Sequence, residues 1–96
     1  MLDRNEFKAW LLTLEMYREF DGGCNQCPLA EWLQSQGYED AWVDGSLYCL
    51  EGPFKSGQEL PAWATGFAAQ FDSIPDNEPS TVRRCLSILE ELEVVA

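Results

Sequence analysis

The breakers in this chain constrain it before any other feature does. Gly22-Gly23, Pro28, Gly37, Asp44-Gly45, Gly52-Pro53, Pro61 and Pro75 cut its 96 residues into short pieces. A proline inside a helix removes a hydrogen bond and clashes with the preceding turn, and glycine loses the most freedom on ordering. Each piece is therefore one helix or one strand, and the pieces must close together on one modest core.

The apolar spacing assigns the pieces. Phe7, Trp10, Leu11, Leu14 and Tyr17 recur at helical intervals, which predicts a first helix over residues 3 to 20. Asp3 and Glu6 at its start can each accept from a free backbone N–H, and Gly22 or Gly23 can end it. Pro28 suits a first helical turn, with Leu29, Trp32 and Leu33 as the apolar face and Gly37 as the stop. Trp63, Ala64, Phe67, Phe71 and Ile74 mark a third helix from Pro61 to Pro75. Ser80 or Thr81 opens a fourth, with Val82, Leu86 and Leu89 on one face. Its charges oppose the helix dipole: Arg83 and Arg84 stand near the start, and Glu90, Glu91 and Glu93 near the end.

Between the second and third helices the period changes. Asp44-Gly45 lies among β-favouring residues and reads as a two-residue hairpin turn. The expected strands are 40–43 and 46–51, with Leu47 and Cys49 on one face and Tyr48 and Leu50 on the other. Residues 52–59 read as a loop. The fold class is therefore α+β: a single domain over 1–96, with four helices and one β-hairpin between helices 2 and 3. Its expected core is Trp10, Leu14, Trp32, Leu33, Phe67, Phe71, Leu86 and Leu89.

Charge and chemistry then exclude several functions. The chain carries 17 Asp and Glu against 6 Lys and Arg, a formal net charge of -11. Such a surface repels nucleic acid and anionic membranes, so neither is an expected direct partner. The absence of histidine removes imidazole as general base, proton shuttle and metal ligand. There is no nucleophile elbow, phosphate-cradling glycine loop or dinucleotide fingerprint. No enzyme activity is expected. The charged N-terminus lacks the apolar core of a signal peptide, and the expected location is the cytoplasm.

The four cysteines leave three readings open. Cys24 and Cys27 have the spacing of a zinc knuckle, and Cys49 and Cys85 would complete a four-thiolate site. Cys24 and Cys27 alone could form a redox pair, with Cys27 favoured as thiolate by the following helix. The preferred reading has no cofactor: Cys24 and Cys27 mark the corner between two helices, and Cys49 and Cys85 fill space as small hydrophobes.

The acid is unevenly spread. Asp21, Glu31, Glu39, Asp40, Asp44 and Glu51 give six acids and no base over residues 21–52. One reading is a solvated face that keeps the protein soluble. The other is an interaction face for a basic protein surface, in its sharpest form a mimic of nucleic acid that inhibits a nucleic-acid-binding protein. On this second reading Asp40, Asp44, Glu51 and Glu39 meet Lys or Arg, while Tyr38 and Trp42 serve as anchors. A hairpin edge could also pair with its twin in a homodimer.

"CPLAEWL", "LPAWATGF" and "CLSILE" together resemble a pattern in small proteins of bacteria and their phages. Cys27-Pro28-Leu29-Ala30, Leu60-Pro61 with Trp63, and Cys85-Leu86 with Ile88-Leu89 carry the resemblance. It implies a fixed fold and a bacterial or infected-cell setting, and brings no catalytic residue. The function expected is a small acidic interaction protein. The rivals are an assembly component, or a zinc or thiol protein using Cys24 and Cys27.

Overall fold

The computed structural model describes residues 2–20, 26–44, 46–51, 57–75 and 77–95. Its elements run α1 (Arg4–Leu11), α2 (Pro28–Ser35), β1 (Trp42–Asp44), β2 (Leu47–Cys49), β3 (Gln58–Glu59), α3 (Ala62–Asp72) and α4 (Val82–Val95). The fold is α+β, with four helices and a three-stranded antiparallel sheet in the order β1-β2-β3 among the described residues.

Helix α1 starts where expected. The Asp3 carboxylate accepts from the N–H groups of Asn5 at 2.7 Å and Glu6 at 3.2 Å. It ends at Leu11, however, and not near residue 20. The Thr13 N–H and hydroxyl both donate to the Trp10 carbonyl, and the Leu14 N–H donates to Leu11, which tightens and closes the helix.

Residues 16–20 are then used to cap α4. Its first N–H groups have no partner within the helix. Val82 donates to the Arg18 carbonyl at 2.9 Å and Arg83 to the Met16 carbonyl at 3.0 Å. Phe20 in turn donates to Ser80, and Glu19 bridges Thr81. The Thr81 hydroxyl accepts from the Arg84 N–H and completes the cap. A longer α1 would leave these donors unmet.

Helix α2 opens on Cys27, whose Sγ accepts from the Ala30 N–H at 3.5 Å, with Pro28 in the first turn. It closes at Gly37, where φ is +105°. Gly37 donates to Gln34 and Tyr38 donates to Leu33, the paired bonds of a Schellman cap. The expected stop at Gly37 is correct, and its cause is this backbone geometry. The glycines at 22 and 23 lie outside the described residues.

The hairpin is shifted from the expected strands 40–43 and 46–51. Trp42 pairs with Cys49, Val43 with Tyr48 and Asp44 with Leu47, so Asp44 is the last residue of a strand and not the first of a turn. The segment expected to be a loop up to residue 59 contains a third strand. Gln58 pairs with Tyr48, Glu59 pairs with Leu47, and the Leu60 N–H extends the ladder to Ser46 at 2.8 Å.

One cluster of buried side chains joins all four helices to the sheet. Phe7 is fully buried at its centre. Its ring lies 5.1 Å from Trp32, 5.1 Å from Phe67, 5.6 Å from Trp63 and 6.1 Å from Trp10, between centroids. The Trp10 ring is stacked on it, Trp32 and Trp63 are tilted, and Phe67 is edge-on, all within the range of favourable aromatic pairs. Trp32, Leu33, Phe67, Phe71 and Leu89 are buried as expected. Trp10, Leu14 and Leu86 instead pack half-buried against the rim of the cluster. The Trp63 indole N–H reaches the Leu2 carbonyl, and the Arg4 guanidinium reaches the Leu89 carbonyl, so the N-terminus is tied across α3 and α4. No helix among the described residues is long and apolar enough to cross a membrane.

Truncation at the centre should be severe and truncation at the rim mild. Phe7→Ala should cost about 3–5 kcal/mol, the range for a buried phenylalanine. Leu12→Ala, at an exposed position, should change stability by less than about 0.5 kcal/mol. Urea unfolding followed by tryptophan fluorescence measures both.

Candidate functional site

The pleat of the sheet separates a core face from an outer face. Val43 and Tyr48 are directly paired and both join the core cluster. Their strand neighbours therefore point the other way. Two rows cross the outer face: Trp42, Cys49 and Gly57, then Asp44, Leu47 and Glu59. The Tyr48 hydroxyl donates to the Gln58 side chain at 3.1 Å and pins the short third strand.

The second row has an unusual composition for a structural surface. Leu47 is 41% exposed, and its two cross-strand neighbours are both exposed carboxylates. Asp44 and Glu59 stand two strand spacings apart, roughly 10 Å. Neither forms an ion pair among the described residues. Half-buried Trp42 begins the adjoining row.

The remaining expected contact residues take up different positions. Glu39 and Asp40 form the exposed tip of a tight turn, closed by the Ala41 N–H donating to the Tyr38 carbonyl at 2.9 Å. The turn is anchored because Ala41 is fully buried and Gln34 donates to the Ala41 carbonyl. Tyr38 packs half-buried against the core. Glu51 is exposed just beyond β2, towards the open end of the hairpin. Asp44 thus belongs to the turn end with Glu59, and Glu39, Asp40 and Glu51 belong to the open end. Trp42 stands between these two groups.

Sequence reasoning missed Leu47 and Glu59 as members of this face. Glu59 fell in an expected loop because a two-residue strand is too short to show periodicity. Its one available signal was position: Gln58-Glu59-Leu60 precedes Pro61 and can add to the free edge of a hairpin.

Among the described residues, Cys27, Cys49 and Cys85 are not gathered as a four-thiolate site requires. Cys85 is fully buried within the core cluster. Cys27 is half-buried at the start of α2 and close enough to Cys85 to influence its ionisation. Cys49 is buried on the sheet's outer face, beside Gly57, where an added Cβ would stand 3.5 Å from its sulfur. Cys24 lies outside the described residues. Among the described residues, no three His, Cys, Asp or Glu side chains are placed to hold a metal ion.

Comparison with family models, curated proteins and solved structures gives no match to this chain.

Burial, helped by the nearby Cys27 thiol and partly offset by a backbone hydrogen bond, pushes the Cys85 thiol from the usual 9.0 up to about 12. The folded chain thus keeps a proton that the unfolded chain releases above pH 9. The stabilising contribution is complete below about pH 9 and is lost as pH rises towards 12. The stability advantage of the wild type over Cys85→Ala should shrink across that window in urea titrations. A constant advantage would contradict the assignment.

Proposed function

We propose that this chain is a small acidic interaction protein that docks on a basic protein surface without catalysis. The carrying observation is the outer row of the sheet, where exposed Leu47 sits between the carboxylates of Asp44 and Glu59. Two like charges on one sheet face repel across an apolar side chain that shields neither. That arrangement adds nothing to the stability of the sheet. It suits a partner that covers Leu47 and Trp42 with apolar atoms and brings Lys or Arg to each carboxylate.

Glu39, Asp40 and Glu51 extend the negative field along the hairpin and steer a basic partner towards it. The net charge of -11 supports the same choice, since it disfavours direct contact with nucleic acid or an anionic membrane. A nucleic-acid-binding protein is one partner with the required basic surface. A cytoplasmic setting in a bacterium or an infected cell belongs to this proposal, on the strength of the resemblance to small bacterial and phage proteins.

The test is affinity capture from a bacterial lysate with the wild type, Asp44→Lys/Glu59→Lys and Leu47→Ser, at low and moderate salt. The expected result is a basic protein held by the wild type and released as salt screens the contact. Both variants should lose it, while circular dichroism shows them folded. Equal capture by the wild type and the charge-reversed variant would place the contact elsewhere and overturn the proposal.

A further inference from the structure

A second surface is built from different residues and has a different chemistry. On α4, Arg83, Leu86, Ser87 and Glu90 follow the i, i+3, i+4, i+7 spacing and form one stripe. Met16 and Tyr17 stand beside that stripe and complete an open groove of about 540 Å³. Tyr17 is 77% exposed and Met16 is 42% exposed. The wall is fixed to the helix because the Arg83 N–H donates to the Met16 carbonyl.

The charges at the two ends of the stripe lack partners among the described residues. The other described arginines are engaged. Arg18 meets Glu31 at 2.7 Å, Arg84 meets Glu78 at 3.0 Å, and Arg4 meets the Leu89 carbonyl. The side chains of Arg83 and Glu90 make no hydrogen bond or ion pair among the described residues. They are separated by seven residues, roughly 10 Å along the axis.

We infer that this groove receives the same groove of a second copy, with the two α4 helices antiparallel around a two-fold axis at Leu86–Ser87. The register follows from the stripe. An antiparallel pair centred between residues 86 and 87 sets Arg83 of each copy beside Glu90 of the other. Two reciprocal ion pairs then flank a centre of Leu86 and the small side chain of Ser87, which lets the helices approach. Tyr17 and Met16 close over the pair from both sides. A two-fold contact needs a self-complementary surface, and a stripe with a cation at one end and an anion at the other is one.

The same arrangement gives Arg83 a partner that its own helix does not. A cation is poorly placed in the first turn of a helix, and α4 begins at Val82. In the antiparallel pair the Glu90 carboxylate of the other copy offsets that penalty. Each copy nevertheless carries a net charge of -11, so long-range repulsion opposes association. The dimer should therefore strengthen as salt rises from low to moderate levels, because screening acts more on distant exposed charges than on pairs closed within the groove. Contact with the basic partner proposed above changes in the opposite direction, so salt dependence distinguishes the two surfaces.

Sedimentation equilibrium of the full chain over a wide concentration range tests the inference. The wild type should show a monomer–dimer equilibrium, and Tyr17→Ala should weaken it. Arg83→Glu and Glu90→Arg should each weaken it by about tenfold or more, by replacing an attraction with a repulsion. The double variant Arg83→Glu/Glu90→Arg should restore it, because the swap recreates both pairs. Restoration cannot come from a misfolded chain. A wild type that stays monomeric throughout would overturn the inference. So would a dimer indifferent to the single substitutions, as pairing through the hairpin edge would give, or a double variant that fails to recover.

Discussion

Phe7 is the ring on which the rest of the structure depends. It reaches Trp10 on its own helix, Trp32 on α2, and Trp63 and Phe67 on α3. A domain of 96 residues has few side chains with which to fill a core, and aromatic rings bury the most area for each residue ordered. Helix α4 closes the cluster from another side through Val82, Cys85, Ile88 and Leu89. At Gly66 the two helices come close, since an added Cβ would stand 3.3 Å from a methyl group of Leu92. The protein is thus held by one cluster of interlocked rings, with the sheet leaning on it through Val43 and Tyr48.

The second constraint is the start of α4. Four N–H groups at a helix start must find acceptors, and here backbone supplies two of them. The chain gives up the second half of a possible α1 to do so. That exchange has two consequences at the surface. It fixes Met16 and Tyr17 as the wall of a groove along α4. It also brings Arg18 over the Phe20 ring, 4.8 Å from its centroid, and into its ion pair with Glu31. The corner between the first two helices is braced in this way from outside the core.

Much of this was legible in the sequence, and the failures share a cause. Local chemistry identified the Asp3 cap, Pro28 at a helix start, Gly37 at a helix end and the α+β class, because each depends on neighbours within a few residues. The end of α1 was not legible. Leu14 and Tyr17 keep the helical period, and only the distant need of α4 for acceptors overrides it. Strand β3 was illegible because two residues carry no period. Leu47 was expected on the same face as Cys49, and it is. Its exposure, against the burial of Cys49, was not legible, because the segment beside both, Gly57 to Glu59, read as loop. The acidic face was visible as composition. Its division into a turn end and an open end needed the strand register.

The side chains that support the fold are distinct from those free to meet another molecule. The ring cluster and the core face of the sheet support it, and the row Asp44, Leu47, Glu59 does not. Urea unfolding of the triple variant Asp44→Lys/Leu47→Ser/Glu59→Lys measures that separation directly. Stability within about 1 kcal/mol of the wild type is expected, as for substitutions away from core, caps and strained backbone. A loss of several kcal/mol, on the scale of truncating a buried core residue, would show that the row is structural and would contradict that separation.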